Sequence, residues 1–450
     1  SALRLARALV GREGTVVYAT DTPQDALAFD AQLLAVGEPV DNVGITGIRF
    51  ERKEGALVWR AVVRNYSETA ATRSWSIVFP DGKRTEPKSI EIKADALVSL
   101  QAAFPEDAES AVLELSPDRF TLDDRVPIMQ PAPKTIGLFS ATSPEFEKLA
   151  ERMIRSLDAV EPTNDASASD LALVSYDPLD PALPEGNAAV FVNAAVCVND
   201  ATRTGAYLKG GIVAEARPLV AGLNWQSLLV RESIQLERLS TDDVLLWQDT
   251  RPLIFLRELS ATEDRPAARQ LCFNFDLRKS NALRQPAFIV CLHRFVESIR
   301  ERKVALVRET LETSQPVQLA SRPDAPVELR QFDLSGKRVD TTALPGSRVQ
   351  RFRAPATPGF LRAVQGEQDL LEAAVFFADT READFRKCDT DVTLGGASAA
   401  AVERHTEEDH WWRLWVLLLL AALLVSWYFS KDGPREEQET PVVAPSKEVA

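Results

Sequence analysis

Sulfur and imidazole are scarce in this 450-residue chain, which holds four cysteines, two methionines and three histidines. So few cysteines cannot frame a disulfide-dense scaffold, and with so few histidines they cannot populate a zinc-rich architecture. Pairing among the four cysteines stays open. Cationic charge is short as well. Lys and Arg number 52 against 66 Asp and Glu, so the formal net charge is −14 with histidine neutral. An excess of that sign repels phosphate backbones, and no nucleic-acid partner is expected. Phosphate loops are missing too, since neither Gly210-Gly211 nor Gly395-Gly396 is followed by the Lys-Ser/Thr of a P-loop. The overall balance, 45% hydrophobic and 26% charged, excludes a wholly disordered or collagen-like chain.

What stands out is an apolar block. Leu414 to Phe429 reads LWVLLLLAALLVSWYF, with Ser426 its only non-aromatic polar residue. Counting from Trp411, residues 411–429 would form about 28 Å of helix, close to the ~30 Å hydrocarbon core of a bilayer. Trp411, Trp412 and Trp415 stand at one end, with Trp427 and Tyr428 at the other, as interfacial aromatic belts do. Arg413 lies near an end, where its stem can snorkel. The expectation is one C-terminal transmembrane helix over 411–429, with the lipid bilayer as a partner. Arg404 and Arg413 upstream balance Lys431 and Arg435 downstream, so charge does not orient it. Residues 391–410 read as a linker and 430–450, rich in Pro, Glu and Lys, as a disordered tail. No signal peptide is expected at Ser1. Without one upstream, the chain would read as a tail-anchored cytoplasmic adaptor.

The remaining chain reads as a multidomain α+β protein. Residues 1–40, with an amphipathic helix over 2–10 and strands at Thr15–Thr20 and Leu33–Val36, resemble the last fragment of a larger doubly wound domain, with residues expected upstream. From 41 to 130 the period is two. Ile45–Phe50, Leu57–Arg64, Ser74–Phe79, Ser89–Ile92, Leu97–Leu100 and Ala111–Leu115 are short strand candidates, several separated by turn-formers such as Pro80-Asp-Gly82. That pattern predicts an immunoglobulin-like β-sandwich, though without an antibody-type Cys…Trp…Cys frame. Residues 131–310 alternate strand and helix: Thr135–Phe139, a helix from Pro144, Leu171–Val174, Ala189–Val192, Leu253–Leu256, Leu271–Phe275 and a long helix over Pro286–Arg302. The alternation predicts an α/β domain with a parallel sheet. Residues 316–390 return to period two, as a second small β-domain.

Candidate chemistry is thin. Cys197 follows the strand Ala189–Asn193, where a nucleophile elbow would sit, but Ala195, Val196, Val198 and Asn199 surround it rather than the glycines an elbow needs. His293 lies inside the last helix, with Glu297 one turn on, so a Cys197–His293 dyad would require tertiary accident. His405 and His410 flank the acidic run Glu407-Glu-Asp409 without Cys partners or an H-E-x-x-H frame, so a solvated linker is the simpler reading. Asp379-Thr-Arg-Glu-Ala-Asp384 reads as a polar turn at a strand end, with a partner contact or ion site as the alternative. Cys291 and Cys388 have no evident partner. No catalytic, cofactor-binding or metal residues are assigned.

The order of these pieces resembles the C-terminal part of BatA-type aerotolerance membrane proteins that carry a von Willebrand factor A domain. Val16–Asp21 and Val36–Thr46 resemble the end of that domain and the strand after it. Val62-Val-Arg-Asn65 is similar to the core strand of the family's immunoglobulin-like module. Residues 134–303 resemble its glutamine amidotransferase-like fold, and Phe377–Phe385 the stretch before its terminal helix. The Asp-x-Ser-x-Ser metal loop and the amidotransferase Cys/His pattern are absent here, so the resemblance implies a fold without its chemistry. It also implies a non-catalytic scaffold of the bacterial inner membrane, with a periplasmic bulk and a cytoplasmic tail. Its partners would be other envelope proteins, among them MoxR-type ATPase-linked complexes. The rival expectation is an envelope amidase or hydrolase using Cys197.

Overall fold

A computed structural model describes residues 2–11, 14–24, 27–104, 108–142, 144–179, 181–192, 206–262, 266–392 and 411–431. Two compact units partition the chain, one formed by 1–39 with 386–450 and the other by 40–385. In the first unit, helix α1 (Ala2–Val10) precedes two parallel strands, β1 (Val17–Thr20) and β2 (Gln32–Ala35). The late strand β25 (Asp391–Val392) pairs antiparallel with β2. Thr390 Oγ1 donates to Gly37 O at 2.8 Å, closing this small sheet.

Helix α4 runs Trp412–Lys431. Among the described residues, no helix is long and apolar enough to cross a membrane. This corrects the transmembrane expectation, and with it the single-pass inner-membrane placement. The expected linker and tail lie largely outside the described residues, at 393–410 and 432–450.

The second unit begins with seven strands: β3 (Val43–Lys53), β4 (Ala56–Asn65), β5 (Ala71–Val78), β6 (Lys88–Ile92), β7 (Leu97–Ala103), β8 (Ser110–Leu115) and β9 (Arg125–Met129). They form two antiparallel sheets, ordered β3-β4-β7 and β6-β5-β8-β9. Period-two alternation on β4 sends Trp59, Ala61 and Val63 inward, all fully buried. Trp59 meets Trp75 of the facing sheet edge-on, with centroids 5.7 Å apart. Asn65, closing β4, is a buried hub. Its Nδ2 lies within hydrogen-bond reach of Thr69 O (2.8 Å), Ile92 O (3.2 Å) and Lys93 O (3.1 Å), while Oδ1 accepts from Ser67 N.

Next come β10 (Ile136–Ala141), α2 (Pro144–Ser156), β11 (Val160–Thr163), β12 (Leu171–Tyr176), β13 (Ala188–Val192), β14 (Ile212–Ala214), β15 (Asp243–Gln248), β16 (Arg251–Leu259), β17 (Ala268–Asp276) and α3 (Pro286–Arg302). The eight strands lie in one sheet, ordered β11-β10-β12-β13-β17-β16-β15-β14. Only the first five are parallel. β14, β15 and β16 join antiparallel, the last two through a tight turn at Asp249-Thr250, with Asp249 at φ 54°. The expectation of an α/β parallel-sheet, amidotransferase-like fold is therefore corrected. The chain is mostly β, 43% strand against 15% helix, because 206–285 spends its apolar residues on antiparallel strands and loops where crossover helices were expected. Phe191, Phe273, Phe275 and Phe288 fill one side of the sheet, Phe191 stacked on Phe273 at 5.4 Å.

The last module holds β18 (Val307–Glu312), β19 (Pro316–Ala320), β20 (Val327–Phe332), β21 (Arg338–Leu344), β22 (Val349–Arg353), β23 (Gly359–Gln365) and β24 (Gln368–Phe376). A five-stranded sheet, β18-β24-β23-β20-β21, stands with the β19-β22 pair. Phe376 at the end of β24 is buried in the sandwich core, so the two β-modules pack directly on each other. The mixed-sheet module is inserted between them. Its entry and exit strands run side by side, Ala132 and Arg308 exchanging two backbone hydrogen bonds of 3.0 Å. At this neck Arg300 donates to Lys134 O and Asp158 O, both at 2.6 Å, and Lys303 Nζ meets Asp170 Oδ2 at 2.6 Å. These cations gather at the C-terminus of α3, where the helix dipole favours positive charge.

Candidate functional site

The direct packing of the two β-modules leaves a cleft of about 550 Å³ between them, within the ~300–1,000 Å³ range of small-ligand sites. One wall comes from the end of β5 and from β8 and β9, with Phe79, Val112 and Met129; the other from β20 and β23, with Phe332, Leu334 and Phe360. A Cβ at Gly359 would stand 2.2 Å from Phe332 O, so glycine is what lets β23 approach β20 and set Phe360 beside Phe332. The rim turn after β20 is fixed by Asp333, whose Oδ1 accepts from Ser335 N at 2.8 Å and Lys337 N at 3.0 Å.

A relay of charges runs along this seam. Glu372 of β24 binds Arg362 through Oε1 at 2.7 Å and Arg308 through Oε2 at 2.8 Å, and Arg308 reaches Glu109 at 2.8 Å. The hydrogen bond that Arg308 donates to Glu372, reinforced by the charge of Glu109, raises the Arg308 pKa. On the opposite wall Arg125 and Arg84 both bind Glu114, at 2.7 and 2.6 Å. Arg125 and Arg362 keep 44% and 45% of their side-chain surface exposed. The cleft therefore offers aromatic and aliphatic walls flanked by two guanidinium groups with spare donors. Such a surface can bind an apolar side chain and a carboxylate or carbonyl beside it.

The residues singled out from sequence fall elsewhere. Cys197, His405, His410, Glu407, Asp409 and Gly395-Gly396 lie outside the described residues. His293 is exposed on α3, and Glu297 binds Arg300 at 3.1 Å. Burial pushes the thiols of Cys272 and Cys291 up to about 12, which keeps them protonated and unreactive. Cys388 is buried, and its thiol donates to Asp21 Oδ2 at 3.4 Å. Gly210-Gly211 forms a turn with Gly210 at φ 106°. Within Asp379–Asp384, Arg381 folds back on Asp379 at 3.0 Å, a polar turn. Among the described residues, no three His, Cys, Asp or Glu side chains are placed to hold a metal ion. Sequence reasoning missed the cleft. Its walls come from residues 78–129 and 332–372, and no local signal joins them.

Residues 43–127 match the family model "Domain of unknown function (DUF7407)". That match covers the sandwich alone. No curated protein matches the chain. Among solved structures, similarity is found to an X-ray structure of a Northeast Structural Genomics Consortium target, at 11% identity over 20% of this chain and 75% of that one, TM-score 0.14. Bacteroides uniformis β-glucuronidase 2 aligns at 9% identity over 74% of this chain and 61% of its own, TM-score 0.17. Dimeric latent PorU from Porphyromonas gingivalis aligns at 9% identity over 75% and 34%, TM-score 0.14. Scores this low carry no fold assignment. None of these matches points to the BatA-type family, a von Willebrand domain or an amidotransferase.

Proposed function

We propose that this protein is a non-catalytic interaction scaffold that receives a partner segment in the cleft between its two β-modules. The supporting observation is the cleft itself, where Phe79, Phe332 and Phe360 flank the half-exposed guanidinium groups of Arg125 and Arg362. The ligand this chemistry recognises is an extended peptide carrying an apolar side chain next to an acidic one. Within this reading the partners are other proteins.

Site-specific photo-crosslinking in the producing cells tests the proposal. A photo-reactive residue at Phe360 or Leu334 is expected to give one discrete protein adduct. The same residue at Leu179, exposed on the inserted module, is expected to give none. Equal, diffuse labelling from all three positions would overturn the reading. So would specific thiol-probe labelling of Cys197 with an activity that disappears in Cys197→Ala.

A further inference from the structure

The segment between β8 and β9 carries three carboxylates in unequal settings. Asp118 and Asp124 share the guanidinium of Arg73 on β5. Asp123 turns away from it. Its Oδ2 accepts from Asn42 Nδ2 at 2.8 Å, and the same nitrogen donates to Ala383 O at 2.9 Å. Asn42 thereby ties the segment after β24 to this loop. Phe120 adds a second tie, edge-on to Phe377 at 5.7 Å and to Phe385 at 4.7 Å.

Asp123 is 2% exposed and Asn42 fully buried. A Cβ at Gly44 would stand 1.8 Å from Asp123 Oδ2, so the carboxyl lies directly against backbone that only glycine can provide. Among the described residues no cation pairs with Asp123. Its Oδ1, Asn42 Oδ1 and the Tyr66 hydroxyl are all buried without a hydrogen-bond partner. A buried carboxylate with one neutral donor and no counter-charge is a costly arrangement in its ionised form. Burial, followed by the charges of Asp118 and Asp124, pushes the Asp123 carboxyl up to about 7 against the opposing hydrogen bond from Asn42. The other groups facing this nest are Arg73 on β5, Arg64 and Tyr66 at the end of β4, and Asp379 and Asp384 on the tied segment. Burial holds Tyr66 up to about 12, and Asp123, Asp384 and Asp379 add to it while Arg64 opposes. Asp124 is pushed up to about 6, by burial first and Asp118 second.

We infer that Asp123 is the proton-operated catch of a latch that holds residues 377–385 on the sandwich, closed when it is neutral and loosened when it ionises. Opening admits water to the carboxyl and returns its pKa toward the ordinary value near 3.8. A group whose pKa is raised in the closed state stabilises that state fully below its open-state pKa. The contribution is lost as pH climbs through about 7. Between pH 6 and 8 the opening equilibrium should rise roughly tenfold.

Amide hydrogen exchange on the full chain, corrected for intrinsic rates, reads this directly. Residues 377–385 are expected to lose about tenfold protection from pH 6 to 8, while Leu271–Phe275 of β17 stay unchanged. In Asp123→Asn, whose amide oxygen can still accept from Asn42, protection of 377–385 should be the same at both values. Equal protection at pH 6 and 8 in the unmodified chain overturns the inference whether or not the variant folds. The same tenfold loss in Asp123→Asn overturns it too. So does protection at pH 8 restored by Na⁺ or Ca²⁺ in the unmodified chain alone, which would make the neutralising species a metal cation in place of a proton.

Discussion

The inserted module and the cleft between the β-modules solve opposite problems with the same residue types. In the module, Phe191, Phe273, Phe275 and Phe288 close on one another and Cys272 and Cys291 are sealed as neutral thiols. In the cleft, Phe79, Phe332 and Phe360 line open space, and each guanidinium keeps donors free after meeting its carboxylate. The module expected from its sequence to be amidotransferase-like thus packs its described aromatic residues into a closed core. In the proposed reading, recognition belongs to a seam between two modules that separately carry no such signal.

Core truncation should expose this contrast most strongly. Phe273→Ala removes a ring in contact with three others and should cost about 3–5 kcal/mol, read by denaturant unfolding. Partner capture at the cleft should survive wherever the variant stays folded. If capture fails while the chain remains folded, the separation between module and cleft is broken. A smaller loss is expected at the neck. Arg300→Met strips the buried donor from Lys134 O and Asp158 O and should cost about 2–3 kcal/mol, again by denaturant unfolding. In the cleft the signs reverse. Arg362→Glu sets a like charge beside the buried Glu372, which keeps its pair with Arg308, and should cost about 1–2 kcal/mol, yet weaken partner binding about tenfold through loss of a charge-assisted hydrogen bond. The smallest effect is a null one. Cys272 and Cys291 should stay unmodified by a thiol reagent at pH 8 until the chain unfolds, and rapid labelling of either in the native state would contradict their sealed setting.

The local pattern was legible where one strand faces one core. Leu57–Arg64 alternates in sequence and becomes β4, with Trp59, Ala61 and Val63 inside. Continuous apolar runs such as Ala189–Val192 became sheet-centre strands. The arrangement of 206–285 was not legible. Ile212–Ala214 is too short to announce a strand, and the Asp249-Thr250 turn makes β15 and β16 a hairpin where alternation had suggested crossover helices. The block at 411–429 read as a membrane helix from its apolar run and flanking aromatic residues, and among the described residues no helix is long and apolar enough to cross a membrane. The Asp118–Asp124 segment carried no signal of its own, because the burial of Asp123 depends on Asn42 and Gly44, some eighty residues earlier. Sites made by tertiary meeting leave no spacing to read.

The central claim, binding at the seam without catalysis by the inserted module, is tested most directly by adduct yield. With a photo-reactive residue fixed at Phe360, the yield of the discrete adduct should fall about tenfold in Arg362→Glu and stay unchanged in Cys197→Ala. A yield that persists in Arg362→Glu, or that vanishes in Cys197→Ala, would contradict it.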